Sequence, residues 1–187
     1  MLKTNYLTNH FLIAMPTLMD PNFFHSVTYI CEHNEHGAMG IVINQPVDLN
    51  LGDLAEQLKF NPVDEIALRK PIYRGGPVEV ERGFVLHRPI GQWESTLDIT
   101  PEIGISTSND IVAALAAGNG PKESLIALGY AGWGAGQLER ELTENSWLSG
   151  PADARIIFET SAEKRWVEAA KLLGIDINQL TGDIGHA

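Results

Sequence analysis

Cys31 and His33 stand two residues apart at the end of a run, Val27-Thr28-Tyr29-Ile30-Cys31, with the composition of a β-strand. On a strand such a pair shares one face. An imidazole beside a thiol lowers its pKa and makes a nucleophile or a redox sensor. The plainer reading is a small apolar residue ending a strand, followed by a histidine that faces solvent. His25 and His36 extend the group to four metal-ligating side chains. Their spacing matches no zinc signature, and a separation of three, as between His33 and His36, suits a helix better than a hairpin. No metal site and no cofactor are expected.

The segment Gly129-Tyr130-Ala131-Gly132-Trp133-Gly134, followed by Gly136-Gln137 and Glu139, contains the parts of a phosphate-binding loop. An apolar strand leads into a glycine-rich turn and then a helix start. The order of its glycines is not the dinucleotide fingerprint, and no Gly-Lys-Ser/Thr closes it. Glu139, Glu141 and Glu144 would also oppose a phosphate. The glycines therefore read first as a tight turn packed around Trp133, and second as a ligand or partner site. Arg74-Gly75-Gly76-Pro77 is the other glycine turn. Arg69, Lys70, Arg74, Arg82 and Arg88 surround it against only Glu79 and Glu81. That segment is either an anion site beside backbone N–H groups or a solvated hairpin. Asn44 and His87 sit at strand ends, where each faces a cleft or satisfies local backbone groups. No pair of carboxylates stands out for acid–base work, and no nucleophile elbow or kinase signature is present.

The elements that must position these residues follow from periodicity. Val27–Cys31 and Met39–Ile43 flank the polar stretch Glu32–Gly37 as a hairpin. Leu51, Leu54 and Leu58 recur at helical spacing, with Asn50 as cap, Asp53 in the first turn and Asn61-Pro62 as the stop. Pro71 to Leu86 reads as strand, turn, strand, and Leu97 to Thr107 holds two short strands around Pro101. Thr107 or Ser108 caps a helix over Asn109–Ala117, closed by Gly118. Ser124–Tyr130 reads as a buried strand, the glycine-rich loop follows, and a helix starts at Gln137. Arg155–Phe158 reads as a last strand. Thr160-Ser161-Ala162-Glu163 is a capping box opening a helix on which Trp166, Ala170 and Leu173 share a face. Strands outnumber helices and do not alternate with them, so the expectation is an α+β fold with a largely antiparallel sheet.

Composition narrows the function classes. The 187 residues include 24 acidic and 13 basic side chains, a formal charge of −11. A chain so acidic repels nucleic-acid phosphates unless it carries a basic patch, and no helix-turn-helix with a basic recognition helix is visible. With Cys31 the only cysteine, no intramolecular disulfide can form. The apolar run Phe11–Met15 is too short for a signal peptide core, and no stretch approaches a membrane helix. A cytoplasmic chain without membrane contact, forming one domain over residues 1–187, is expected.

Three blocks carry a resemblance. They are Cys31-Glu32-His33 with Gly40-Ile41-Val42-Ile43-Asn44-Gln45-Pro46; Arg74-Gly75-Gly76-Pro77-Val78 with Phe84-Val85-Leu86-His87; and Gly129-Tyr130-Ala131-Gly132-Trp133-Gly134 with Gly136-Gln137-Leu138-Glu139 and Trp147-Leu148. Their order and spacing resemble the AlgH/YqgE family of bacterial proteins over roughly Asn5 to Leu180. The resemblance implies a bifurcated, mostly antiparallel sheet curled into a partial barrel with about four helices around it. It implies no catalytic residues. The family is uncharacterised and carries the label of transcriptional regulator.

Three functions compete on this footing. The first is a non-catalytic protein that binds a protein partner or a small ligand, with any effect on transcription indirect. The second is an enzyme or sensor for an anionic metabolite or nucleotide, which requires the Arg74-Gly75-Gly76 turn, Gly132-Trp133-Gly134 and Gln137 to meet in one cleft. The third, direct DNA binding, is disfavoured by the charge.

Overall fold

The computed structural model describes residues 6–61 and 64–184. Asn5, where the resemblance begins, and Pro62, part of the expected helix stop, lie outside them. The first half of the chain forms β1 (His10–Ala14), β2 (Val27–Asn34), β3 (Gly37–Val42), β4 (Pro46–Asn50), α1 (Leu51–Gln57), β5 (Pro71–Arg74) and β6 (Val78–Arg88). There follow β7 (Thr96–Asp98), β8 (Gly104–Ser106), α2 (Asn109–Ala116), β9 (Glu123–Gly134), α3 (Gln137–Thr143), β10 (Trp147–Pro151), α4 (Ala154–Phe158), α5 (Ala162–Leu172) and α6 (Ile177–Ile184).

The sheet runs β10-β1-β2-β3-β9-β6-β8-β7, with β5 on β9 and β4 on β5. Every pairing is antiparallel except β5 with β9. The fork lies in β9. Its first half, through Leu128, lies between β5 and β6, and its second half, from Ala131, pairs with β3. The expected α+β, forked and mostly antiparallel architecture is therefore present. It curls into a half-barrel with six helices rather than about four.

Alternation along β9 explains the layering. Leu125 and Ala127 join the barrel interior with Phe11, Tyr29, Ile41, Phe84, Ile157 and Trp166. Ile126 and Leu128 point the other way, under Leu51, Ala55, Ile111 and Leu115 of α1 and α2. A strand covered on both faces reads in sequence as one apolar run, as Ser124–Tyr130 does. A third cluster gathers Leu12, Ile30, Ala131, Trp133 and Trp147 around Leu138 of α3.

Several local expectations change. Gly129–Gly134 is not a loop but the second half of β9, because β3 offers it a ladder from Gly37↔Gly134 to Gly40↔Ala131. The two strands around Gly75-Gly76 are not a hairpin, because β9 lies between them as partner of both. The chain crosses over β9 there. A Cβ on Gly76 would sit 2.1 Å from the Tyr130 carbonyl carbon, and one on Gly75 2.3 Å from the Gly129 oxygen, so only glycine permits the crossing. Arg155–Phe158 is helix α4, not a strand, since the Asp153 carboxylate accepts from the Arg155 N–H and starts a turn. The Thr160–Glu163 capping box does not form. Ser161 is the N-cap residue of α5, and the Thr160 hydroxyl donates instead to the Arg155 carbonyl at 3.1 Å, closing α4. By contrast, the Asn50/Asp53 capping box of α1 is complete in both directions.

Candidate binding groove

Register separates Cys31 from His33. The β2–β3 pairing shifts between Ile30 and Glu32, leaving Cys31 as an extra residue. A bulge reverses the alternation beyond it, so the expected shared face is lost. Cys31 lies in the barrel interior, where burial pushes its thiol pKa up. His33 is buried rather than solvent-facing. Its Nδ1 accepts from the Leu7 N–H at 2.9 Å, so Nε2 carries the proton donated to Glu139 of α3. His25 is stacked between the rings of Phe24 and Trp166, and His36 is exposed beside Glu35. The four residues do not converge.

Gln137, Glu139 and Glu141 of α3 are all engaged in the fold. Glu141 accepts at 3.1 Å from both the Trp133 and the Trp147 indole N–H, and at 2.9 Å from the Gln137 amide. The Gln137 carbonyl oxygen in turn accepts from the Gly134 N–H. Glu139 and Glu141 therefore dock the helix onto β2, β9 and β10. Asn44 braces a loop, accepting from the Val27 N–H and donating to the His25 carbonyl, each at 2.9 Å. The Arg74 guanidinium turns to the Asn22 side chain at 2.8 Å, while Gly75 and Gly76 pack on the backbone of Gly129–Ala131. The glycine turns thus meet, but through main chain.

His87 and Ser106 are both fully buried. His87 Nδ1 lies 3.0 Å from the Pro89 carbonyl and must donate to it, so Nε2 accepts from the Ser106 hydroxyl at 2.7 Å. Thr96 then donates to Ser106 at 2.8 Å. The chain of donors is satisfied throughout and clamps β6, β8 and β7 together. Gly104, paired with His87, leaves room for the ring.

A further candidate surface lies where the barrel interior reaches solvent. A groove of about 670 Å³ is floored by Met39, Phe84, Ile105 and Tyr130, and bordered by Val78, Leu97, Gly132 and Trp133. Phe84 and Tyr130 meet edge to face at 5.6 Å. One wall is the Glu79–Arg82 stretch of β6, which stands off the ladder opposite Gly129. There Arg82 pairs with Glu79 at 3.2 Å and lies 5.4 Å over the Phe84 ring. Glu32 is the other charged lining residue. Of the candidates read from sequence, only Gly132 and Trp133 line this groove, and its guanidinium is that of Arg82, not Arg74. Sequence reasoning missed Met39, Phe84, Leu97 and Tyr130. Each alternates like an ordinary half-buried strand residue, and only their convergence marks them.

Fold and groove now stand beside known proteins. The AlgH-like family model matches residues 11–178. A UPF0301 protein of Nitrosococcus oceani is 54% identical over 97% of both chains, and one of Thioalkalivibrio sulfidiphilus is 54% identical over the whole of both. The solution structure of AlgH from Pseudomonas aeruginosa superposes with a TM-score of 0.80 at 51% identity, covering 97% of each chain. A crystal structure from Corynebacterium diphtheriae shares the fold at 16% identity, with a TM-score of 0.76 over 96% of this chain and 94% of that one. The chain belongs to the AlgH-like family. Among the described residues no helix is long and apolar enough to cross a membrane.

Proposed function

We propose that this protein is a non-catalytic cytoplasmic binding protein, and that the groove at the open end of its half-barrel takes an extended segment of a partner protein. The observation that carries the reading is an apolar floor, continuous with the buried core, left facing solvent in a chain of net charge −11. Leu97 is 44% and Val78 36% exposed at its margins. Apolar surface exposed next to a rim of charge is the usual mark of a docking site. β7 ends the sheet beside the groove with only three residues, so an added strand can pair with its free edge while alternate side chains enter the groove. Arg82, with Glu79 and Glu32, would read the polar positions of that segment. Any effect on transcription then acts through protein contacts, since the charge opposes direct DNA binding.

A displayed library of extended peptides tests the reading. Selected peptides should carry alternating apolar residues, shift the backbone NMR signals of Met39, Phe84 and Tyr130, and lose at least tenfold affinity to Tyr130→Ser. Peptides that bind elsewhere on the surface, or a selection with no binders, would refute it.

A further inference from the structure

We infer that the opposite end of the barrel interior holds a second site, for a small tetrahedral oxyanion of the phosphate class bound between Arg165 and Lys70. A cavity of about 140 Å³ lies there between β5, β9, α4 and α5. That is several times the roughly 30 Å³ one water occupies in the liquid. Arg165 is 5% exposed. Its Nε donates to the Ile156 carbonyl at 2.9 Å and its Nη1 to the Ile43 carbonyl, and the guanidinium lies 5.0 Å over the Tyr73 ring. Those bonds engage two of its five N–H donors. Lys70 lines the same cavity. Among the described residues, no carboxylate lies within 4.0 Å of either cation.

A buried polar group left unmatched costs free energy, and a buried charge more so. Here two cations line one cavity whose lining includes no carboxylate. A doubly charged oxyanion would accept from the free guanidinium N–H groups and from the ammonium at once. Desolvation pulls the Lys70 pKa down, and a bound anion would restore it. Neighbouring Glu123 is engaged with Arg88 at 2.5 Å and does not line the cavity.

This site does not rest on the groove reading, because the two are lined by different residues at different ends of β9. The test uses the full chain, titrated calorimetrically with inorganic phosphate, with glycerol phosphate and with acetate, at matched ionic strength in chloride. Saturable binding of phosphate or of the phosphomonoester is expected, with affinity falling at least tenfold in Lys70→Gln. That variant should melt no lower than wild type in chloride, since it removes one of two repelling cations. Phosphate alone would assign the free ion, and glycerol phosphate alone a metabolite head group. No saturable binding of either, equal binding of acetate, or unchanged affinity in Lys70→Gln would overturn the site. Arg165→Lys, which keeps the charge but loses the planar fork of donors, should also weaken binding severalfold; should it fail to fold, Lys70→Gln carries the test alone.

Discussion

The interior of the half-barrel has two ends, finished in opposite ways on one strand. Ser124 and Tyr130 are six residues apart on β9, roughly 20 Å of extended chain. At the Ser124 end, α4 and α5 bury Ile156, Ile157, Trp166 and Ala169 against the sheet. The Trp166 indole donates to the Ala14 carbonyl at 2.9 Å, and Arg165 ties Ile156 to Ile43. At the Tyr130 end the same apolar lining runs out to solvent past Phe84 and Met39. The closed end holds its structure through buried polar groups that have few alternative partners. The open end leaves apolar area in water, which adds nothing to the stability of the free protein. Stability and binding should therefore divide between the two ends.

The crossing over β9 is where both ends break together. Gly76 has φ +154°, and a Cβ there meets the Tyr130 carbonyl carbon and oxygen at 2.1 and 2.2 Å. Backbone cannot yield as a flexible side chain can. Gly76→Ala should destabilise by about 4 kcal/mol or more, the range reserved for strain and overpacking at special positions. Urea unfolding checks this. A variant within about 1 kcal/mol of wild type would mean that the crossing is not the rigid joint between the ends.

Arg165→Met separates the ends. It keeps the apolar stem but leaves the Ile156 and Ile43 carbonyls without their charged donor. Losing such bonds at a buried site costs about 3 kcal/mol in sum, measured as a lower urea midpoint. Peptide binding at the groove should survive at temperatures where the variant is folded. If binding falls in step with stability, the ends are coupled and the division fails.

His87 gives a smaller effect with a definite sign. Desolvation lowers its pKa, outweighing the Pro89 hydrogen bond and the charge of Asp98. In the folded state it therefore binds its proton less readily than the unfolded chain, whose histidines titrate near 6.5. Above that pH both states are neutral and nothing is lost. As pH falls below it the unfolded chain protonates first, and stability declines until the folded-state pKa is passed. The urea midpoint should drop between pH 7.5 and pH 5.5, and His87→Gln should flatten the slope. His25, also shifted down by burial, would leave a residual slope. An unchanged slope in His87→Gln would assign the whole effect elsewhere.

The elements legible from sequence were those fixed by local chemistry. Asn50 and Asp53 announce α1 because capping is a four-residue affair. The β2–β3 hairpin announces itself through its alternation and polar turn. What the sequence hid was decided at a distance. Gly129–Gly134 looks like a loop because glycine weakens strands locally, yet β3 supplies the ladder that makes it one. Cys31 and His33 look like one face until a bulge separates them. The groove was the least legible feature. Tyr130 reads as the end of a buried strand and Leu97 as the start of a short one, and only the curl of the sheet brings them together.

Leu97→Ser is the smallest perturbation of structure and the sharpest test of the comparison. The side chain is 44% exposed on a three-residue edge strand, so nearly half of its area remains open to a partner. The covered share of the leucine is worth about 1 kcal/mol to the free protein, and stability should fall by about that much. On docking, the exposed remainder would be covered. Covering that remaining share of a leucine is worth about 1 kcal/mol, so affinity for a groove-bound segment should fall roughly fivefold. Unfolding and peptide titration on one preparation decide the matter. A loss of stability with binding intact would mean that Leu97 belongs to the core after all. Weakened binding with no more than that small loss of stability would separate an end that holds the fold from an end that uses it.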